Sequence, residues 1–188
     1  MPENQQKLVV LFADISSSSD LFERLGDELA LQSITQCVGI MTNQLPAFQG
    51  TLVKVIGDEI MCTFPTAEQA FHAACAMHHA VGNCRYQDGS PIYIRIGFHY
   101  GEVIHQSGDV FGDTVNVAAK VSAITRANQI IVTQAVVEVL PPALRDKTVK
   151  LERAEFKGKQ AQFNIYMVNW ESGEKMNVRI GTPDQRKA

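Results

Sequence analysis

Cysteine is scarce and shows no pairing pattern. The four present, Cys37, Cys62, Cys75 and Cys84, form no C-x-x-C, and none has the Cys/His spacing of a zinc site. This argues against a disulfide framework or a structural zinc, so reduced, mostly buried thiols are expected. Long apolar runs are lacking too. The first, residues 8–13, stops at Asp14 after six residues, with no basic segment ahead of it. Such a run is too short for a membrane span or a signal peptide, so a cytoplasmic location with no membrane span is expected. Nor is there an excess of positive charge: 17 Lys and Arg stand against 20 Asp and Glu, a net charge of −3. A nucleic-acid partner would call for a basic stripe, and none is expected. A small polyanion is a different matter, because a few local cations suffice to bind it.

What is present suits one globular domain. The chain has 188 residues, 45% hydrophobic and 20% charged. A chain of this size buries roughly 70% of its unfolded surface.

Periodicity gives the elements. Residues 8–13 (LVVLFA) read as a buried central strand. Ser16–Ser19 form a turn and helix-cap cluster. Leu21, Phe22, Leu25, Leu29, Ile34, Val38, Met41 and Leu45 recur at helical spacing, giving one or two helices over about 18–47 with Gly26 near a break. Two short apolar runs, 51–56 and 60–64, flank Gly57, Asp58 and Glu59 as a hairpin. Helices are expected at 67–81, 113–125 and 134–140, and strands at 92–104, 129–133, 148–156 and 163–170. The β-α-β-β-α-β order predicts an α+β fold: a ferredoxin-like antiparallel sheet with helices on one face. Residues 171–188 are polar and read as a tail or linker.

Two carboxylates stand out. Asp14 ends a buried strand, where a charge costs several kcal/mol unless a cation meets it. Asp58 sits at the hairpin tip, beside the first strand in such a sheet. Two converging carboxylates suit Mg²⁺, which keeps waters and recruits phosphate oxygens. Taken singly, Asp14 is equally a helix cap and Asp58 a turn residue. The other titratable groups have ordinary readings. His72, His78 and His79 lack the i, i+4 spacing of a helical metal pair and read as surface residues. His99 reads as a structural, partly buried histidine. Glu59 reads as solvated, on the face opposite Asp58.

Four blocks occur in order: FADISSS (12–18), KVIGDE (54–59), RIGFHYGEV (95–103) and GDVFGDTVNVAAK (108–120). Together they resemble the signature blocks of class III adenylyl and guanylyl cyclase catalytic domains, over about residues 7–170. The resemblance implies a catalytic domain at 1–170, making cyclic AMP and pyrophosphate from ATP. It implies two Mg²⁺ or Mn²⁺ ions per site, held by Asp14, Asp58 and the main-chain carbonyl of Ile15. Lys54 and Asp109 would read the purine, Asn116 would position the ribose, and Lys157 in FKGK would hold the triphosphate. Sites would be shared between the two chains of a homodimer. A regulatory domain beyond the tail is also compatible with it.

Chemistry supports the base assignment. Lysine only donates hydrogen bonds and ionised aspartate only accepts. Adenine presents an acceptor at N1 and donors at its 6-amino group. Guanine presents the reverse, and each mismatch costs about 1–3 kcal/mol.

Two positions depart from the family pattern. Lys120 stands where catalytic members usually carry an arginine for the reacting phosphate. Lysine keeps the charge but lacks the bidentate fork, so a slower enzyme is expected. SSSS follows the Asp14–Ile15 segment, where an aromatic and a threonine are usual; its N–H groups would still face phosphates at a helix start. Three alternatives stay open: a guanylate cyclase, a cyclase-like domain that binds nucleotide without turnover, and a diguanylate cyclase suggested by IGDEI (56–60).

Overall fold

The computed structural model describes residues 4–151, 154–155 and 162–171. Its centre is β1 (Gln5–Ile15), the first strand, hydrogen-bonded on both sides. The hairpin of β2 (Thr51–Ile56) and β3 (Glu59–Phe64) lies on one side of it, turning through Gly57 at φ +62°. On the other side runs β4 (Ile94–Gln106), which reverses into the short β5 (Asp109–Phe111). Beyond β4 come β6 (Ile130–Thr133), β10 (Ile165–Val168) and the edge strand β7 (Thr148–Lys150). The sheet order is β2-β3-β1-β4-β6-β10-β7, with β5 on β4.

The predicted α+β class stands, with two corrections. The sheet is not wholly antiparallel: β4 and β6 run parallel, Ile96 opposite Ile130. Helices also cover both faces. Alternation along β1 explains this, because neither face of the strand is polar. Val9, Leu11, Ala13 and Ile15 pack with α1 (Ser18–Leu25), α2 (Asp27–Thr42) and α3 (Ala67–Gly82). Leu8, Val10 and Phe12 face the other way, into a cluster with Ala118 of α4 (Asp113–Ile124). Burying both faces of a central strand requires cover on both sides.

Gly26, at φ +79°, separates α1 from α2. Thr66 and Gln69 close a capping box that starts α3. The helix α5 (Gln134–Val139) follows the pattern, whereas β5 and the four-residue helix α6 (Pro142–Arg145) were not foreseen. The strand expected at 148–156 ends at Lys150, where its pairing with β10 runs out. Ala154–Glu155 (β8) instead pairs with Gln162–Phe163 (β9) as a separate ribbon.

Gly97 sets the seat of α4. A Cβ there would lie 2.6 Å from the Ser122 main-chain nitrogen, so only glycine lets the helix backbone come this close to β4. Thr114 Oγ1 donates to the Glu102 carbonyl at 2.7 Å and fixes the other end.

The histidines correct another expectation. His78 is 3% exposed rather than on the surface. Its ring stacks on Trp170 at 4.5 Å, and Nε2 lies 3.2 Å from the Gln129 carbonyl. Helix α3 packs this face inward, which its mixed Ala/His composition did not reveal. Burial pulls the His78 pKa down to about 4. The folded chain therefore resists protonation there, while the unfolded chain accepts it near pH 6.5. Stability from this residue is present above pH 6.5 and is lost as pH falls towards 4. Between pH 7 and pH 5 the loss is on the order of 2 kcal/mol. Urea titrations at both pH values should show a correspondingly smaller loss in His78→Gln; an equal loss would overturn the assignment.

Candidate active site

The metal candidates lie at the end of β1. Asp14 is 8% exposed and stands between Glu59 of β3 and Arg95 of β4 in the strand register. Residues directly opposite one another in antiparallel strands share a face, so Glu59, Asp14 and Arg95 form a row on the face covered by α4. Arg95 meets the buried charge. Its Nη2 and Nε donate to the same oxygen, Asp14 Oδ2, at 2.7 and 2.9 Å. The other oxygen, Oδ1, is buried and has no hydrogen-bond partner among the described residues.

Burial pushes the Asp14 carboxyl above the usual range; the Arg95 hydrogen bond opposes this, and the charge of nearby Asp58 adds to it. Glu59 is pushed up to about 7, first by burial and then by the Asp14 charge. Its expected solvated position is therefore corrected. Asp58 occupies the turn and Glu59 opens β3, so strand alternation does not separate the two. The interaction across strands puts Glu59 with Asp14.

A divalent ion fits this donor set. Asp14 Oδ1 is a buried anionic oxygen without a protein donor, and the Asp58 charge is felt at the same place. Ile15 follows Asp14 as the last residue of β1, with its side chain buried. Among the described residues no three His, Cys, Asp or Glu side chains are grouped to hold a metal. The set is instead two carboxylates and a candidate carbonyl, the sparse oxygen ligation that suits Mg²⁺.

Lys54 and Asp109 meet although 55 residues apart: Nζ lies 2.9 Å from Oδ2. A bulge in β2 between Leu52 and Lys54 and the β4–β5 hairpin bring them together. The Lys54 hydrogen bond, then the Val110 N–H, hold the Asp109 carboxyl below the usual range. Asn116 is exposed on α4, and Lys120 lies one turn later, half-buried. Four-residue spacing puts the two on one side of the helix. Arg126 falls beyond the end of α4. Lys157 lies outside the described residues. Ser17 starts α1 in the left-handed region, φ +60°, without a side-chain cap.

Arg95 is the residue that sequence reasoning missed. An arginine inside the apolar stretch 92–98 was the available signal, because a partly buried guanidinium calls for an anion nearby. The thiols behave as expected: all four cysteines are free, and burial pushes Cys37 and Cys62 up.

The chain is similar to known proteins in sequence and in fold. The chain is 32% identical over 135 residues to an uncharacterised protein of Mycobacterium tuberculosis, covering 71% of this chain and 35% of that protein. It is 28% identical over 135 residues to an adenylate cyclase of Streptomyces coelicolor, covering 72% and 34% respectively. The chain thus spans about a third of the length of the curated relatives it matches. Among solved structures, the catalytic core of a rhodopsin-guanylyl cyclase with converted specificity, in complex with ATPalphaS, superposes with a TM-score of 0.81 at 21% identity. That match covers 89% of this chain and 97% of the other. An adenylate cyclase of Trypanosoma brucei, in its monomeric state, gives 0.80 at 16% identity, covering 90% and 92%. Similarity at these identities speaks for the fold alone. No helix among the described residues is long and apolar enough to cross a membrane. The adenylate and guanylate cyclase catalytic-domain model matches residues 1–171, and with nearly the whole chain inside it this protein belongs to that family.

Proposed function

We propose that the chain is an adenylate cyclase domain, converting ATP to 3′,5′-cyclic AMP and pyrophosphate at sites shared by two copies. The observation that carries the choice of ATP is the Lys54–Asp109 pair. A donor and an acceptor fixed 2.9 Å apart offer adenine the complement of its N1 and 6-amino edge. Guanine would leave both unpaired, at about 1–3 kcal/mol each.

Asp14, Asp58 and the Ile15 carbonyl would hold the divalent ions. When bound, such ions activate the ribose 3′-hydroxyl and stabilise the departing pyrophosphate. Asp14 and Asp58 supply the negative charge that attracts the ions and sets where phosphate can sit. Asn116 orients the ribose from α4, and Lys120 places an ammonium near the reacting phosphate. Lys157 remains the proposed triphosphate ligand. A shared site needs a second copy of the chain. In support, β2 is a sheet edge whose Val55 and Ile56 are 47% and 50% exposed, with Phe111 exposed on nearby β5. Apolar side chains on an unpaired edge strand favour cover by another chain.

The test is incubation with ATP or GTP and Mn²⁺, with products identified by mass. Cyclic AMP is expected to exceed cyclic GMP by roughly tenfold or more, from the two mismatches at guanine. Cyclic GMP as the main product, a cyclic dinucleotide, or nucleotide binding without turnover would each replace this reading. In the same assay Lys120→Ala should lower kcat, and Lys120→Arg should raise kcat more than it changes KM. That split marks an interaction strengthened in the transition state. Unchanged kcat in Lys120→Ala would put the residue off the reaction path.

A further inference from the structure

We infer that Arg95 is a built-in competitor for metal at Asp14: its guanidinium holds the place of a cation on Oδ2 and would have to give way if an ion took that oxygen. The inference rests on the reading of Asp14 as a metal ligand.

Three observations carry it. First, the contact is lopsided. Both Nε and Nη2 bind Oδ2, while Oδ1 is left buried without a partner among the described residues. With Arg95 in place one oxygen thus accepts two hydrogen bonds and the other none. Second, Asp14 stands between Glu59 and Arg95 in the strand register, and the Asp58 charge acts on it as well. An ion entering there meets the field of the carboxylates, and also the repulsion of a guanidinium held less than 3 Å from the same carboxylate. Third, Arg95 has somewhere to stay once displaced. Its Nη1 already lies 3.4 Å from the carbonyl of Thr125, the residue that caps the C-terminus of α4. A helix C-terminus favours a cation, so the guanidinium can shift onto that end without leaving the site. The two contacts tie Arg95 at once to the carboxylate of β1 and to the end of the helix that carries Asn116 and Lys120.

Arg95 therefore keeps Asp14 neutralised in the absence of metal and weakens metal binding in return. It is a positioning residue that acts through Asp14. The consequence is measurable without catalysis. Mn²⁺ alone is titrated into the protein, and free Mn²⁺ is followed by electron paramagnetic resonance. Arg95→Gln is expected to tighten Mn²⁺ binding by roughly threefold or more, because the competing charge is gone. Arg95→Lys, with one compact ammonium in place of a two-pronged contact, should fall between the two. The Mn²⁺-induced rise in Tm should follow the same order, largest in the glutamine variant. Unchanged or weaker Mn²⁺ binding in Arg95→Gln would overturn the proposal and leave Arg95 as scaffold. If the glutamine variant does not fold, the lysine variant decides: tighter binding than wild type supports competition, and equal or weaker binding refutes it. Asp14→Asn separates this from the underlying reading. Wild-type Mn²⁺ affinity in that variant would remove Asp14 from the metal site altogether.

Discussion

Asp14→Ala and Asp58→Ala are each expected to reduce cyclic AMP formation by roughly a hundredfold or more, since each deletes a charge that holds the ions stabilising phosphate oxygens. The two should differ in stability. Asp58 lies in the β2–β3 turn, so its removal should leave Tm nearly unchanged. Asp14 is buried against Arg95, and alanine there leaves an uncompensated cation, which is costly. Asp14→Asn is the companion variant, since it keeps the volume and a carbonyl oxygen for Arg95 while losing the charge. Activity assays on protein whose circular dichroism matches wild type separate chemistry from unfolding. More than a few per cent of wild-type activity in folded Asp58→Ala, or in folded Asp14→Asn, would end the metal assignment.

The second large effect is recovery. Asp58→Ala and Asn116→Ala proteins should each be nearly inactive, and a mixture of the two should be active. If one copy supplies the carboxylates and the other the asparagine, a mixed dimer has one site with both defects and one with none. With free exchange half the dimers are mixed, so activity should reach about a quarter of wild type for a two-fold symmetric pair. Exchange is checked independently by energy transfer between labelled copies. No recovery despite demonstrated exchange would mean that each chain carries its own complete site.

Much of this fold was legible in local pattern. The apolar run 8–13 marked the central strand because both its faces are buried, and Gly57 and Asp58 marked the hairpin because the turn needs a positive φ. Convergence of Asp14 with the hairpin followed from those two elements once a ferredoxin-like sheet made them neighbours. What stayed hidden depends on contacts distant in sequence. Nothing near Arg95 announces that its register partner is Asp14. Likewise, β5 is three residues long and held by the far end of β4, too short for any periodicity. His78 looked like a surface histidine because its partners, Gln129 and Trp170, lie 51 and 92 positions later. The parallel step from β4 to β6 was missed although the strand–helix–strand order was legible, since a helix that carries the chain back across the sheet lays the next strand parallel to the first.

The glycine at position 97 also has a mechanical meaning. With strand and helix backbones touching there, α4 has no slack to slide over β4, and any glide along its axis would drive Ser122 into the strand. Asn116, Lys120 and the carboxylate row then behave as parts of one stiff plate. If the sites are completed by a second copy, as proposed, the adjustable dimension lies between the two plates. An input that turns one against the other by a few degrees would change the gap each nucleotide has to bridge, so the throttle of such a cyclase belongs to the seam and not to the interior of either half.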